Sequence, residues 1–433
     1  RAAMAPPSSK AANKPRTIND YKVALLKLRV GLPPKDAKLE EYEKRWIEAT
    51  AVAPPGVREP ALPAVQTTAW WLGTPAFVAL LAVRSLAAAT APIMDCDETF
   101  NYWEPLSYLL RGTGMQTWEY SPEFALRSWV YIEVHALVLR LIPATLLSGA
   151  SPFFALRQAL AILCALSETL FCRAVAHRYG VRPAALVLVF SGASSGMFHA
   201  GVALLPSTTC MYCVLLGYAA WFSGRHRLGL MAGCVAVLLA WPFVAPMFVP
   251  MGLHVLTVLG AAPVALCAVG GLLSFGLLPA LLDGYLYYGA GRPVSAVANL
   301  LLYNVLGGGG SEGEGANLYG VEDSGFYARN LLLNLNLVAL LGLGSGPLLA
   351  LLLPLLPSAR CAARRGYTHQ LLSVSGMYLA FGVFQSMDHK EERFLTMLYP
   401  TLCLGAALAL DAALGVMSDG VAAAAGHRAP RRA

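Results

Sequence analysis

Residues 94–105 read Met-Asp-Cys-Asp-Glu-Thr-Phe-Asn-Tyr-Trp-Glu-Pro, with Asp95, Asp97 and Glu98 directly after a long apolar run. A carboxylate at the edge of a bilayer loses hydration and is costly to keep unless it serves a purpose. Its raised pKa then suits it to take a proton from a sugar hydroxyl as that hydroxyl attacks. Tyr102 and Trp103 beside it offer flat apolar faces for sugar rings. The same residues also read as an acidic loop end with interfacial belt aromatics. A second stretch, Gln116–Pro122, adds Trp118, Glu119 and Tyr120 as sugar contacts. Arg127 follows closely and is expected to pair with Glu123, a phosphate clamp being its other reading.

Farther along, Asp388-His-Lys-Glu-Glu-Arg393 sits between two apolar runs. His389, Lys390 and Arg393 supply the fixed positive charge that a phosphate at a membrane surface needs, Arg as a bidentate fork. Loop charges that neutralise one another are the alternative. Glu133, His135, Glu168 and His199 fall in or near apolar segments, where ionisable groups are functional suspects. Glu168 is expected to form a structural pair with Arg173 or Arg157. Cys210-Met-Tyr-Cys213 has CxxC spacing without a second pair, and the nine cysteines read as packing residues. Asp95, Asp97 and Glu98 can in principle hold a divalent ion, but the chemistry requires no metal and no cofactor.

The elements that carry these residues are membrane spans. Of the 433 residues, 57% are apolar and only 13% charged, about half the charge of a soluble domain. Apolar runs at 69–92, 328–357 and 394–416 approach or exceed the about 20 residues that cross a bilayer. Further candidates lie near 128–149, 152–176, 183–203, 207–223, 229–250 and 258–282, interrupted at Trp241-Pro242 and Pro246. The expectation is an all-α polytopic membrane protein of about ten to twelve spans, which excludes a soluble enzyme, a nucleic-acid module and a disulfide scaffold.

Residues 1–66 carry twelve Lys/Arg against seven Asp/Glu and read as a cytoplasmic, partly disordered basic leader, with helix-forming charges over Lys35–Glu48. No cleaved signal peptide is expected, and Arg1 in place of Met suggests an open start. The 94–127 loop has six acids against Arg111 and Arg127 and belongs on the opposite side. Counting spans from the cytoplasmic turn at Arg360, Arg364 and Arg365 puts 289–327 and 388–393 on that same side. Three polar segments then share one compartment. Gly307–Gly315 reads as a flexible insertion, with Tyr303, Asn304, Asn317, Tyr319 and Asn330 as further polar neighbours.

The run Asp95–Pro105 with Gln116–Arg127 resembles the first lumenal loop of the endoplasmic-reticulum mannosyltransferases that use dolichyl phosphate mannose, the alpha-1,2 branch of N-glycan precursor assembly above all. Leu204-Leu-Pro-Ser207 with Met211-Tyr212, Asn317-Leu-Tyr-Gly320 with Asn330–Asn334, and His389–Phe394 agree with it, and the glycine-rich insertion departs from it. The resemblance covers residues 69–416. It implies a GT-C fold with a long lumenal first loop at 94–127. The implied reaction is inverting transfer of mannose from dolichyl phosphate mannose to a dolichyl-diphosphate oligosaccharide, at the endoplasmic-reticulum membrane. It implies that this loop carries the essential acid and that one carboxylate suffices as base, for which Asp97 is taken first, Glu98 close behind and Asp95 third. It favours phosphate or acceptor contact for His389, Lys390 and Arg393, with Arg127 a further phosphate candidate from its position in the loop. Because the family commonly continues past the last span, 417–433 is expected to be a short basic tail, truncated. An alpha-1,6 or glycosylphosphatidylinositol-anchor mannosyltransferase is the sister reading. An ion-coupled transporter using Asp97, Glu98, Glu133 and Glu168 is the reading from another class, but no inverted repeat supports it.

Overall fold

Helices begin and end where prolines and glycines dictate. In the computed structural model the first, α1 (Thr74–Thr90), starts with Pro75 in its opening turn and stops before Ala91-Pro92, where Ala91 turns extended. At about 1.5 Å per residue, its 17 residues run about 26 Å. The described residues are 69–143, 145, 148–289, 291–306, 320–352 and 361–424, all within one unit, 63–433. The basic leader, Asn317, Tyr319, the Gly307–Gly315 insertion, Arg360 and the end of the tail from 425 onward lie outside them.

After α1 come α2 (Glu104–Arg111), α3 (Trp129–Arg140), α4 (Ser151–Tyr179), α5 (Val181–Ala193), α6 (Ser195–Ala200) and α7 (Pro206–Phe222). The chain continues through α8 (His226–Val235), α9 (Ala245–Leu259), α10 (Ala261–Gly271), α11 (Leu278–Tyr288) and α12 (Ala296–Leu306). It closes with α13 (Phe326–Leu335), α14 (Leu337–Leu343), α15 (Ser345–Leu352), α16 (Cys361–Ser386) and α17 (Tyr399–Ala424). There is no strand among the described residues. The all-helical expectation therefore holds.

Among the described residues, four continuous helical stretches are long and apolar enough to cross a membrane: 151–179, 242–259, 261–288 and 392–417. Shorter apolar helices cover 74–90, 181–193 and 226–240. The difference from ten to twelve runs has a local cause, because apolar runs are divided by the backbone. The 328–357 run is not one span: Asn336, at φ +52°, separates α13 from α14, and Gly344 ends α14. A positive φ is uncommon outside glycine, and asparagine tolerates it best. The 229–250 run breaks at Trp241, which is extended (φ −151°, ψ 117°) as the residue before Pro242 must be. Pro246 breaks nothing, since it sits in the first turn of α9, where its missing N–H costs no bond.

The core is built by α4 lying between α1 and α7, with α17 packed on α5, α14 and α15. Close approach needs small residues: a Cβ at Gly342 would come within 2.7 Å of the Leu402 carbonyl. Through this core runs an ion pair. Arg84 donates from Nε and Nη2 to Glu168 at 2.9 and 2.6 Å and also to the Ser191 carbonyl, with both side chains almost wholly buried. The expected Glu168 partners, Arg173 and Arg157, are thus replaced by an arginine one helix away. Glu133 pairs with Arg140 near the surface, and His135 bonds through Nδ1 to the Tyr131 carbonyl of its own helix.

Candidate active site

The 94–127 loop folds back on itself through bonds gathered around Asn101 and Glu104. A wide helical turn, Glu98–Trp103, leads into α2. Pro105 has no N–H to give the Asn101 carbonyl one turn earlier, and Tyr120 Oη donates to that carbonyl at 2.7 Å instead. Gly112, at φ +74°, closes α2 in the left-handed conformation that glycine adopts freely. Met115 N–H then reaches Glu104 Oε2 at 2.9 Å, and Thr117 Oγ1 reaches Asn101 Oδ1 at 2.6 Å. These bonds bring Glu119 and Arg127 back to Asp97.

Three segments separated in sequence meet there. Arg127 donates from Nη2 to Asp97 Oδ2 at 3.1 Å, from Nη1 to Tyr102 Oη at 2.7 Å, and from Nε to Glu119. The expected Glu123 partner is therefore replaced by Glu119 and Asp97. Arg393 pairs through Nη1 with Asp97 at 2.6 Å and Asp95 at 3.0 Å, and through Nε with Glu391. The third segment docks by backbone: Glu322 N–H donates to the Asp388 carbonyl at 3.0 Å. Asp95, Asp97, Glu119 and Glu391 thus share two guanidinium groups.

This network lines a cavity of about 320 Å³. Its polar side is Asp97, Glu119, Arg127, His389, Glu391 and Arg393. Its apolar side includes Trp241, Phe243, Leu300 and Phe394, with Tyr303 and Asn304 between. Trp241, at the extended break, lies in that wall with its ring against Phe384 and Phe394. A charged half facing an apolar half suits a polar headgroup carried on a hydrocarbon chain.

The carboxylates differ in state. Burial alone would push Asp97 up, but Arg393 and Arg127 outweigh it and hold the carboxyl below its usual range. A raised pKa was the expectation for the desolvated acid, and for Asp97 the arginines reverse its sign. Glu98 is 3% exposed and shifted upward by burial. It accepts Leu204 N–H and Trp103 Nε1, each at 3.0 Å, and faces a second, smaller cavity rather than the first. Asp95 is also raised, first by burial, and it accepts Asp97 N–H in a local turn.

Not every candidate faces the cavity lined by Asp97. Lys390 is buried and donates from Nζ to the Glu322 carbonyl at 3.1 Å, away from the lining. His389 does line it, bonding through Nδ1 to the Gly320 carbonyl at 2.9 Å and through Nε2 to Glu391 at 3.0 Å. The Glu391 bond, chiefly, raises its pKa. Tyr102 is nearly buried but lines the cavity. Trp103 turns inward onto Phe153, and Tyr120 is buried against Trp129. Trp118 is half-exposed between Phe124 and Tyr303, outside the lining. Glu391 had no place among the sequence candidates. Its signal was available, as the acid flanked by His389 and Arg393.

Asp95, Cys96 and Asp97 have ligand atoms within 4.8 Å of one another, close enough to share a metal ion. Arg393 Nη1, however, already bridges the two aspartates, so a cation stands where a divalent ion would bind them.

Among known proteins, the profile of the Alg9-like mannosyltransferase family matches residues 75–427. The alpha-1,2-mannosyltransferase ALG9 of Homo sapiens is 35% identical over 347 residues, covering 78% of this chain and 54% of that protein. Its Arabidopsis thaliana counterpart is 37% identical, covering 77% and 56%, and that of Saccharomyces cerevisiae 33%, covering 75% and 57%. The chain spans about half the length of the curated relatives it matches. No solved structure matches it.

Proposed function

We propose a function for this chain, which belongs to the Alg9-like mannosyltransferase family: inverting transfer of mannose from dolichyl phosphate mannose to a dolichyl-diphosphate-linked oligosaccharide. The linkage formed is alpha-1,2, in keeping with the alpha-1,2-mannosyltransferases this chain resembles. The setting is the endoplasmic-reticulum membrane, with the Asp97 face toward the lumen. The observation that carries the reading is Asp97, kept ionised by two arginines on the wall of a half-charged, half-apolar cavity.

In one displacement, the acceptor hydroxyl attacks the anomeric carbon of mannose from the face opposite the phosphate. The carbon–oxygen bond to phosphate breaks, and its electron pair leaves with dolichyl phosphate. The hydroxyl proton passes to Asp97 Oδ. A weak base suffices, because the hydroxyl turns acidic only as its bond to carbon forms. The leaving phosphate is already charged and needs no general acid, unlike the leaving group of a glycosidase. Arg127 and Arg393 are fixed by neighbouring carboxylates and present positive charge where the leaving group gains it. Glu98 is the weaker choice of base, since it faces the smaller cavity rather than the one lined by Asp97, and its Oε1 already accepts from Leu204 and Trp103.

The test is incubation of membranes containing the chain with dolichyl phosphate mannose and a truncated lipid-linked oligosaccharide. Wild type should form an alpha-1,2-linked product, Asp97→Asn almost none, and Glu98→Gln a substantial amount. Absence of product from wild type, or a different linkage, would move the chain to another reaction or a sister branch.

A further inference from the structure

Behind the Asp95–Arg393 pair lies a second cavity of about 90 Å³, walled by α4, α6 and the 392–399 segment. Its lining includes three carboxylates, and each has donors. Asp95 takes Arg393 and the Asp97 N–H, Glu98 takes Leu204 N–H and Trp103 Nε1, and Glu392 takes Asn334 Nδ2 at 2.7 Å. Two lining groups are left over. Arg157 is 3% exposed, donates from Nη1 to the Ala91 carbonyl at 2.7 Å and lies over the Phe153 ring, yet its Nε has no partner. Glu98 acts on it electrostatically from across the cavity, but among the described residues no carboxylate reaches it within 4 Å. His199 likewise encloses an Nδ1 without a partner.

A buried guanidinium N–H left without an acceptor is costly, and an incoming oxygen acceptor would relieve it. The buried side-chain atoms lining this cavity that have no hydrogen-bond partner are Arg157 Nε and His199 Nδ1. Its rim is apolar at Pro92 and at the exposed Met94. It is too small for a glycan.

We propose that Arg157 and His199 form a phosphate subsite for a lipid-borne substrate, separated from Asp97 by the shared Arg393. The assignment rests on the transferase reading above, in which two lipid phosphates, one mono and one di, must be held near the reacting carbon. Arg393 lines both cavities. A phosphate on Arg157 therefore lies one guanidinium away from the base.

The experiment measures dissociation constants of dolichyl monophosphate and dolichyl diphosphate, separately, on the full chain in detergent by thermal-shift titration. Arg157→Gln should weaken one of the two lipids about tenfold, the loss of a charge-assisted bond. Arg157→Lys should weaken it less, and the other lipid should change less than about twofold. The lipid affected identifies the phosphate held. Should Arg157→Gln not fold, His199→Ala serves, with a loss of about threefold expected for the same lipid. Unchanged constants for both lipids in the folded variants would overturn the subsite, even with mannose transfer intact. Wild type that binds these lipids through Arg157 but transfers no mannose would instead overturn the reaction and leave the subsite standing.

Discussion

Two clusters of arginine and carboxylate in this molecule use the same chemistry to opposite ends. In the core, Arg84 and Glu168 meet one to one, bidentate, at 0% and 1% side-chain exposure. At the cavity, four carboxylates share Arg127 and Arg393, each partly exposed. The first pair is enclosed by α1, α4 and α5 and has no partner to exchange. The second has more acids than bases and an open side, so an incoming phosphate can take an arginine from one acid without leaving the others unpaired. Stoichiometry and access, rather than residue type, separate an ion pair that holds helices together from the one proposed to handle a substrate.

The largest effect expected from this contrast is on the reaction. Asp97→Asn keeps the volume and loses the charge, and it should reduce mannose transfer by about 10²–10⁴-fold. Its thermal stability should stay near that of wild type. Next comes the core. Glu168→Ala leaves Arg84 buried without its counter-charge and should cost about 3–5 kcal/mol of stability, read as a lower melting temperature in detergent. The transfer rate per folded molecule should be unaffected. Equal loss of activity in both variants with equal loss of stability would erase the distinction.

Smaller effects sharpen it. Glu119→Gln removes one competitor for Arg127, so the KM for dolichyl phosphate mannose should fall by about threefold, a fraction of one charge-assisted bond; a rise would show that Glu119 positions Arg127 rather than competes for it. The pH dependence comes last. His389 is raised above its ordinary value by Glu391, so its charge is present at low pH and is lost as pH rises through the raised value. Donor affinity should weaken severalfold over that window in wild type and stay flat in His389→Gln. Asp97, lowered, stays ionised throughout and adds no slope there.

Much of this site was legible in the sequence, because charge is conspicuous in an apolar chain. The Asp95–Glu98 cluster, Arg127 and the His389–Arg393 segment stand out by type alone. Span counting placed the segment holding Tyr303 and Asn304 on their side. Orientation was not legible. Lys390 and Arg393 are three residues apart, yet one turns to the Glu322 carbonyl and the other to Asp97. Tyr120 reads as a sugar contact until the carbonyl freed by Pro105 claims its hydroxyl. The Arg84–Glu168 pair joins residues 84 positions apart, and no periodicity relates them. Asn336 divides an apolar run whose composition shows no break.

The measurement that bears most directly on the account is the rate of alpha-1,2 mannose transfer by the Asp97→Asn and Glu98→Gln variants, normalised to folded protein. Collapse of the rate in Asp97→Asn, with Glu98→Gln within about tenfold of wild type, is the predicted result. A normal rate from Asp97→Asn would show that the carboxylate between Arg127 and Arg393 is not the base.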